Sequence, residues 1–300
     1  MRALGDSKTP LYFLIISALL NVAGDIFFVA GLGWGVEGSA VSTVLSEAVC
    51  CLFCAVYIKR HVPLLCLGRR WLVFDKGLLG KTVSYGSTSA MQQACLQLGK
   101  IIIQSVVNTQ GVSVIAAFTA VNRVDDFAYT PQQNIGHAMT TFIAQNKGAG
   151  CRERIKKGFL GGLLIEIGYS LFLFAVITLG AWEITRLFVK DGDTRVVSLG
   201  VEYLHLIAFM YILPGITNGI QGFFRGIGDM KVTLYSTFMN MLGRVVAVIL
   251  MIRVFDMGFS SLAWANMAGW FLMLLFEVPL LVKSLRRSGF PAFDSRCQSR

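Results

Sequence analysis

The chain has 300 residues, of which 55% are hydrophobic and only 15% charged, with a formal net charge of +10 and a mean hydropathy of +0.64. A soluble domain of this length needs charge over most of its surface, and here the charges fall in short clusters. A soluble enzyme and a nucleic-acid-binding domain are excluded, and a lipid bilayer is the expected solvent.

Eight apolar runs, each about 20 residues or more, are long enough to cross a ~30 Å hydrocarbon core as helices. They lie near 10–31, 36–58, 83–108, 112–145, 157–182, 196–222, 232–255 and 259–283. The expected fold class is therefore all-α, a polytopic integral membrane protein with eight transmembrane helices. Residues 1–9 are polar and the first run has no small-residue cleavage site behind it, so no cleaved leader is expected. The fourth run holds Pro131, which predicts a kink or a tilt.

Basic residues alternate by loop. Twenty of the 27 lysines and arginines fall on one side: Arg2 and Lys8, the group Lys59–Lys81, the group Lys147–Lys157, Arg225 with Lys231, and the tail from Lys283 to Arg300. The other side has four, Arg186, Lys190, Arg195 and Arg253. The positive-inside rule then places both termini in the cytoplasm of a multi-pass plasma-membrane protein. The net charge reads as topology, with nucleic acid not expected as a partner. Most cysteines lie in helices or on the cytoplasmic side, where disulfides are not expected. Cys51 and Cys54 have C-x-x-C spacing inside an apolar helix with no second pair, which reads as packing rather than metal or redox chemistry.

An internal repeat organises these runs. Arg2-Ala-Leu-Gly-Asp-Ser-Lys-Thr-Pro-Leu-Tyr12 returns 223 residues later as Arg225-Gly-Ile-Gly-Asp-Met-Lys-Val-Thr-Leu-Tyr235, with six of eleven positions identical. The same offset pairs Gly35 with Gly258 and Ala40 with Ala263. Helices 1 and 2 thus return as helices 7 and 8 with an even number between, which makes the repeat parallel and its unit six helices. The expected organisation is the last two helices of an N-terminal lobe in 1–58, a cytoplasmic inter-lobe linker in 59–82, a six-helix C-terminal lobe in 83–285 and a cytoplasmic tail in 286–300. Projecting the offset backwards, the whole protein is expected to begin about 140 residues earlier, with twelve helices in two lobes. Within the linker, Arg69-Arg-Trp-Leu-Val-Phe74 is amphipathic and expected at the membrane interface.

Polar side chains inside a bilayer are costly, so their grouping is informative. On the third run Ser89, Gln93, Gln97, Lys100, Gln104 and Asn108 follow helical spacing along one face. The fourth carries a matching stripe of Thr119, Asn122, Asp126, Tyr129, Gln133, His137 and Thr140 or Thr141. Such faces line a water-filled cavity, or else they bond one helix to another. The adjacent carboxylates Asp125 and Asp126 cannot both ionise cheaply in a low dielectric, which suits a proton-binding site. The competing reading is that Lys100 pairs with one of them and neutralises it. Secondary candidates are Asp25 on the first run, Glu202 with His205 on the sixth, and Arg244 beside Asn240 on the seventh. No H-E-x-x-H and no Walker-type glycine loop is present; Gly148-Ala-Gly150 reads as a helix end. Transport by this chain would have to be driven by an ion gradient.

Four segments carry a family resemblance. They are Arg2-Ala-Leu-Gly-Asp-Ser-Lys-Thr-Pro10, its copy Arg225-Gly-Ile-Gly-Asp-Met-Lys231, Val114-Ile-Ala-Ala-Phe-Thr-Ala-Val-Asn-Arg-Val-Asp125 and Phe142-Ile-Ala-Gln-Asn-Lys-Gly-Ala-Gly150. They resemble the multidrug and toxic compound extrusion (MATE) transporters over nearly the whole chain. The resemblance implies a twelve-helix antiporter of two lobes, not an enzyme, of which this chain supplies the fifth to twelfth helices. It implies export of amphipathic organic cations in exchange for H+ or Na+, with no further cofactor and no metal, by a protein expected to be monomeric when full length. In the sodium-type members carboxylates on the seventh and tenth helices form a cation site; the corresponding places here are Cys95 to Gln97 and Pro214. The coupling ion is therefore open, and the polar stripes are the candidates for its site. Substrate and ion are expected at Gln93, Gln97, Lys100, Gln104, Asn122, Asp125, Asp126, Tyr129 and Gln133. The alternatives are a lipid-linked saccharide flippase of the same superfamily and a fragment that does not transport. A flippase would need a strongly cationic cavity, for which only Lys100, Arg123 and Arg244 are available.

Overall fold

The structure is a computed structural model, and it describes residues 6, 8–62, 74–189, 194–255 and 258–287. The described residues form helices: α1 (Lys8–Asp25, prolonged by a π-helical turn Ile26–Gly31), α2 (Gly35–His61), α3 (Lys76–Asn108) and α4 (Val112–Gly148). They continue with α5 (Arg152–Phe188), α6 (Thr194–Ala208), α7 (Ile212–Ile227), α8 (Met230–Arg253) and α9 (Ser260–Arg287). Each of the eight expected runs is helical. The sixth is divided by a 3-10 turn, Phe209–Tyr211. Pro214 follows that turn, and without an N–H it cannot bond the carbonyl four residues back. α3 starts at Lys76, inside the segment expected to be linker; most of the amphipathic stretch before it lies outside the described residues.

Among the described residues six segments are long and apolar enough to cross a membrane: Lys8–Gly31, Gly35–His61, Arg152–Phe188, Thr194–Ile227, Met230–Arg253 and Ser260–Leu285. The two long helices that fall short of this threshold, α3 and α4, are the ones bearing the polar stripes. Exposed apolar side chains cover the outer faces, Leu19, Val44, Leu164 and Leu179 among them. That surface suits lipid and would be a liability in water.

Two compact units divide the chain, Met1–Leu79 and Gly80–Arg300. In the first, α1 and α2 approach closely where Gly24 faces Ser42. Ser42 Oγ donates to the Asn21 carbonyl at 2.8 Å, and Asn21 Nδ2 donates to Thr43 Oγ1 at 3.1 Å. The first turn of α1 is capped by Asp6, whose carboxylate accepts the Thr9 N–H at 3.1 Å.

In the second unit α7 is the central element. Gly215, Gly219, Gly222 and Gly226 recur at helical spacing and let its backbone press against α4 and α5. A Cβ on Gly222 would lie 2.6 Å from the Gly136 carbonyl oxygen, and one on Gly136 would lie 2.9 Å from that of Asn218. Two apolar clusters flank this crossing. One gathers Val121, Ile177, Tyr203, Leu204 and Tyr211; the other gathers Met139, Ile143, Phe159, Ile220 and Phe224. α8 and α9 form a hairpin, with Gly243 and Gly269 where the two helices meet, and the hairpin packs on α7.

The repeated Gly-Asp pair has a structural reason. Gly228 ends α7 at φ +82°, where its N–H bonds the Arg225 carbonyl at 3.0 Å, and Asp229 N–H reaches back to the Phe224 carbonyl at 2.9 Å. This is a left-handed helix end that glycine adopts without strain, and Asp229 then opens α8. Cys50, Cys51, Cys54 and Cys95 are free thiols. Cys151 is disulfide-bonded, against the expectation for its loop.

Candidate functional site

The second unit encloses a cavity of about 590 Å³. α3 contributes Ser89, Gln93, Gln97 and Lys100, and α4 contributes Asn122, Asp125, Asp126, Tyr129, Gln133 and His137. Opposite stand Thr217, Gln221 and Arg225 of α7, Thr237, Asn240 and Arg244 of α8, and Asn266 and Trp270 of α9. The helical spacing of the two stripes thus brings their middle sections to one space.

Asp125 and Asp126 are separated by the turn of the helix. Asp125 is 7% exposed and accepts a hydrogen bond from the Tyr211 hydroxyl, whereas Asp126 is exposed at the cavity wall. The backbone of Tyr211 is fixed in turn. Its carbonyl, at the 3-10 break, accepts Gln132 Nε2 at 3.0 Å and Ser170 Oγ at 3.2 Å. The helix break therefore aims a phenol at the buried acid. Aromatic rings border the same place: Tyr129 lies 5.3 Å from Tyr211 and 5.8 Å from Trp270, centroid to centroid.

At the Arg225 end the side chains bond one another. Gln92 Nε2 donates to Thr237 Oγ1 at 2.8 Å, Gln221 Nε2 donates to Thr237 Oγ1 at 3.3 Å, and Arg225 Nη2 donates to Gln221 Oε1 at 2.7 Å. Gln92 and Gln221 are both buried between helices.

Of the residues expected from sequence, Gln93, Gln97, Lys100, Asn122, Asp125, Asp126, Tyr129, Gln133 and Arg244 border this cavity. Gln104 does not; its amide donates to Asn108 Oδ1 at 2.8 Å on an exposed part of α3. Asp25 belongs to the first unit. Glu202 and His205 lie exposed on α6, away from the cavity lining. Lys100 does not pair with a carboxylate: among the described residues the ion pair within 4.0 Å is Lys156 with Glu153. Arg123 is exposed and does not border the cavity, while Arg225 does. The sequence reading missed Gln92, Gln221, Thr237 and Trp270. Gln92 adjoins Gln93 but lies about 100° round the helix, and Gln221 sits inside a run read only as apolar.

A lobe of membrane-spanning helices folded round a polar, charged cavity is the architecture of a membrane transport protein. The MatE family model matches residues 89–251, and the chain belongs to the MATE transporter family. It is 30% identical over 230 residues to the probable multidrug resistance protein YpnP of Bacillus subtilis, a match covering 77% of this chain and 51% of that protein. It is 24% identical over 202 residues to the FAD transporter of Shewanella oneidensis, covering 64% and 43%. Among solved structures, a MOP superfamily transporter from Pyrococcus furiosus, described as having a binding pocket of reverse polarity, superposes with a TM-score of 0.83. That match has 22% identity and covers 92% of this chain and 63% of that one; it establishes the fold. The chain spans about half the length of the curated relatives it matches.

Proposed function

We propose that this chain is part of a secondary antiporter of the plasma membrane that exports amphipathic, drug-like cations in exchange for H+ or Na+. It acts by alternating access, as a monomer with both termini cytoplasmic. The observation that carries the coupling is the division of labour between two adjacent carboxylates. Asp125 is buried and held by the Tyr211 hydroxyl, a place for a proton or a small cation. Asp126 meets the cavity directly and is free to touch substrate. The two carboxylates act together on a cation in the cavity, so a positive ion loaded at Asp125 cancels part of that negative field and weakens the hold on a cationic substrate at Asp126. Tyr129 and Trp270 supply flat apolar faces for an aromatic ring.

A second reading has its own observation. The cavity is bordered by three cations, Lys100, Arg225 and Arg244, against two carboxylates. That balance favours a substrate with an anionic group, and one relative bears the name FAD transporter.

Efflux from proteoliposomes tests both. Asp125→Asn should abolish the dependence of ethidium efflux on a pH or Na+ gradient while leaving insertion intact. Wild-type coupling in the Asp125→Asn/Asp126→Asn protein would refute the assignment. Efflux of a flavin nucleotide without efflux of ethidium would favour the second reading.

A further inference from the structure

Glu277 of α9 is fully buried, and neither carboxylate oxygen has a hydrogen-bond partner among the described residues. Ser236 and Gln221 stand close by, without reaching it in hydrogen-bond geometry. The charged group that acts on it is Arg225 of α7, which does not touch it within 4.0 Å. Arg225 instead donates to Gln221 Oε1 and borders the cavity. Other charges around Glu277 are engaged or distant. Lys147 of α4 donates to the Ile227 carbonyl, and Arg152 of α5 donates to the Leu285 carbonyl at 3.2 Å. Arg244 of α8 packs on Gly269, about 12 Å along α9 from Glu277. Glu202 and His205 of α6 are exposed, as are Lys231 of α8 and Lys283 on α9 itself.

A carboxylate enclosed without a donor or a contacting cation is sustainable only with a proton on it. If that proton leaves, the nearest relief is the guanidinium of Arg225, which has a flexible stem and a replaceable bond to a neutral amide. The two positions of Arg225 have opposite consequences for the cavity. On Gln221 it adds a positive charge to the wall; on Glu277 it withdraws that charge and frees Gln221 and Gln92. The repeat sharpens the point. Arg225 has its counterpart in Arg2, but the 223-residue offset sets Cys54 where Glu277 stands, so the acid belongs to this lobe alone.

We propose that Glu277 is a second proton-binding site and that Arg225 transmits its charge state to the cavity. Proton uptake at Glu277 leaves Arg225 at the wall, where it holds an anionic group of a bound organic molecule. Proton loss draws Arg225 back and releases that group. This rests on the second reading of the cavity, in which the substrate carries an anionic group, and not on the coupling assigned to Asp125, so either can fail alone.

Infrared difference spectroscopy of the purified protein in lipid nanodiscs reads the acid directly. The wild type minus Glu277→Gln spectrum should contain a carboxylic acid C=O band that moves in D2O and disappears as pH is raised. Asp125 and Glu166 are present in both samples and cancel. Arg225→Gln should keep the band at pH values where the wild type has lost it. Glu277→Asp, which retains an acid should the amide fail to fold, should displace the band rather than remove it. Absence of the band at every pH would make Glu277 one half of a permanent ion pair, and a band that never titrates would make it a fixed structural acid. Either result overturns the proposal.

Discussion

The α4–α7 crossing gives the sharpest quantitative expectation. In Gly222→Ala the new methyl would lie 2.6 Å from the Gly136 carbonyl oxygen, 3.3 Å from that residue's carbonyl carbon and 3.3 Å from Met139 Cβ. Two of these atoms are backbone and cannot rotate away. Restoring an ordinary contact of 3.4 Å requires the two helices to part by about 0.8 Å, an overpacking strain of roughly 1–3 kcal/mol. Two neighbours serve as controls. Gly219→Ala meets the end of the Leu163 side chain at 2.6 Å, which has rotamers to spare, and should cost less. Gly161→Ala on α5 meets nothing within 4 Å and should be neutral, or stabilising by about 0.5–1 kcal/mol from helix propensity. Unfolding of the detergent-solubilised protein, followed by intrinsic fluorescence, should rank them Gly161→Ala, Gly219→Ala, Gly222→Ala in falling stability. A Gly222→Ala protein as stable as Gly161→Ala would refute the idea that this crossing sets the position of α7.

Tyr211→Phe removes the donor to Asp125 inside a buried setting and should cost about 1–3 kcal/mol. Added to Asp125→Asn it should cost far less, and full additivity in the double-mutant cycle would show that the two side chains do not act together. At the N-terminal end of α1, hydrogen bonds from the Thr9 side chain and the Thr9 backbone hold the Asp6 carboxyl below the usual carboxylate range. The sign follows: its support for the first turn of α1 is in full force above about pH 4 and is lost as pH falls through the lowered value. Thr9→Val should move the Asp6 titration, followed by carboxyl NMR shifts, upward; an unchanged titration would remove the side chain from the explanation.

Much of this fold can be read from the chain because lipid imposes one rule on every spanning segment. All backbone polar groups must be met internally, so long apolar runs can only be helices. The cavity was legible to the extent that its polar residues keep to one face, as Gln93, Gln97 and Lys100 do. Gln92, Gln221 and Thr237 form a contact between helices, α3, α7 and α8, and single-helix periodicity carries no information about partners. The division of α6 from α7 had a visible signal in Pro214. Its outcome, the Tyr211 hydroxyl aimed at Asp125, depends on Gln132 and Ser170 from two other helices. The glycine stripe of α7 was visible as spacing, but only the neighbouring carbonyls show which glycines tolerate no methyl.

The shortfall in hydropathy of α3 and α4 has a consequence for biogenesis. Each carries ionisable groups well inside its length, Lys100 on one, Arg123, Asp125 and Asp126 on the other, and each such group near a helix centre opposes insertion by about 2.5–3.5 kcal/mol. Neither helix is an efficient membrane anchor alone. They follow each other directly in the chain, so the insertion machinery must hold the pair until α7 and α8 emerge to shelter their polar faces. A thiol-labelling site placed between α3 and α4 should accordingly remain untranslocated in pulse-labelled intermediates truncated after α4 and become translocated in those truncated after α9, α1 and α2 anchoring both.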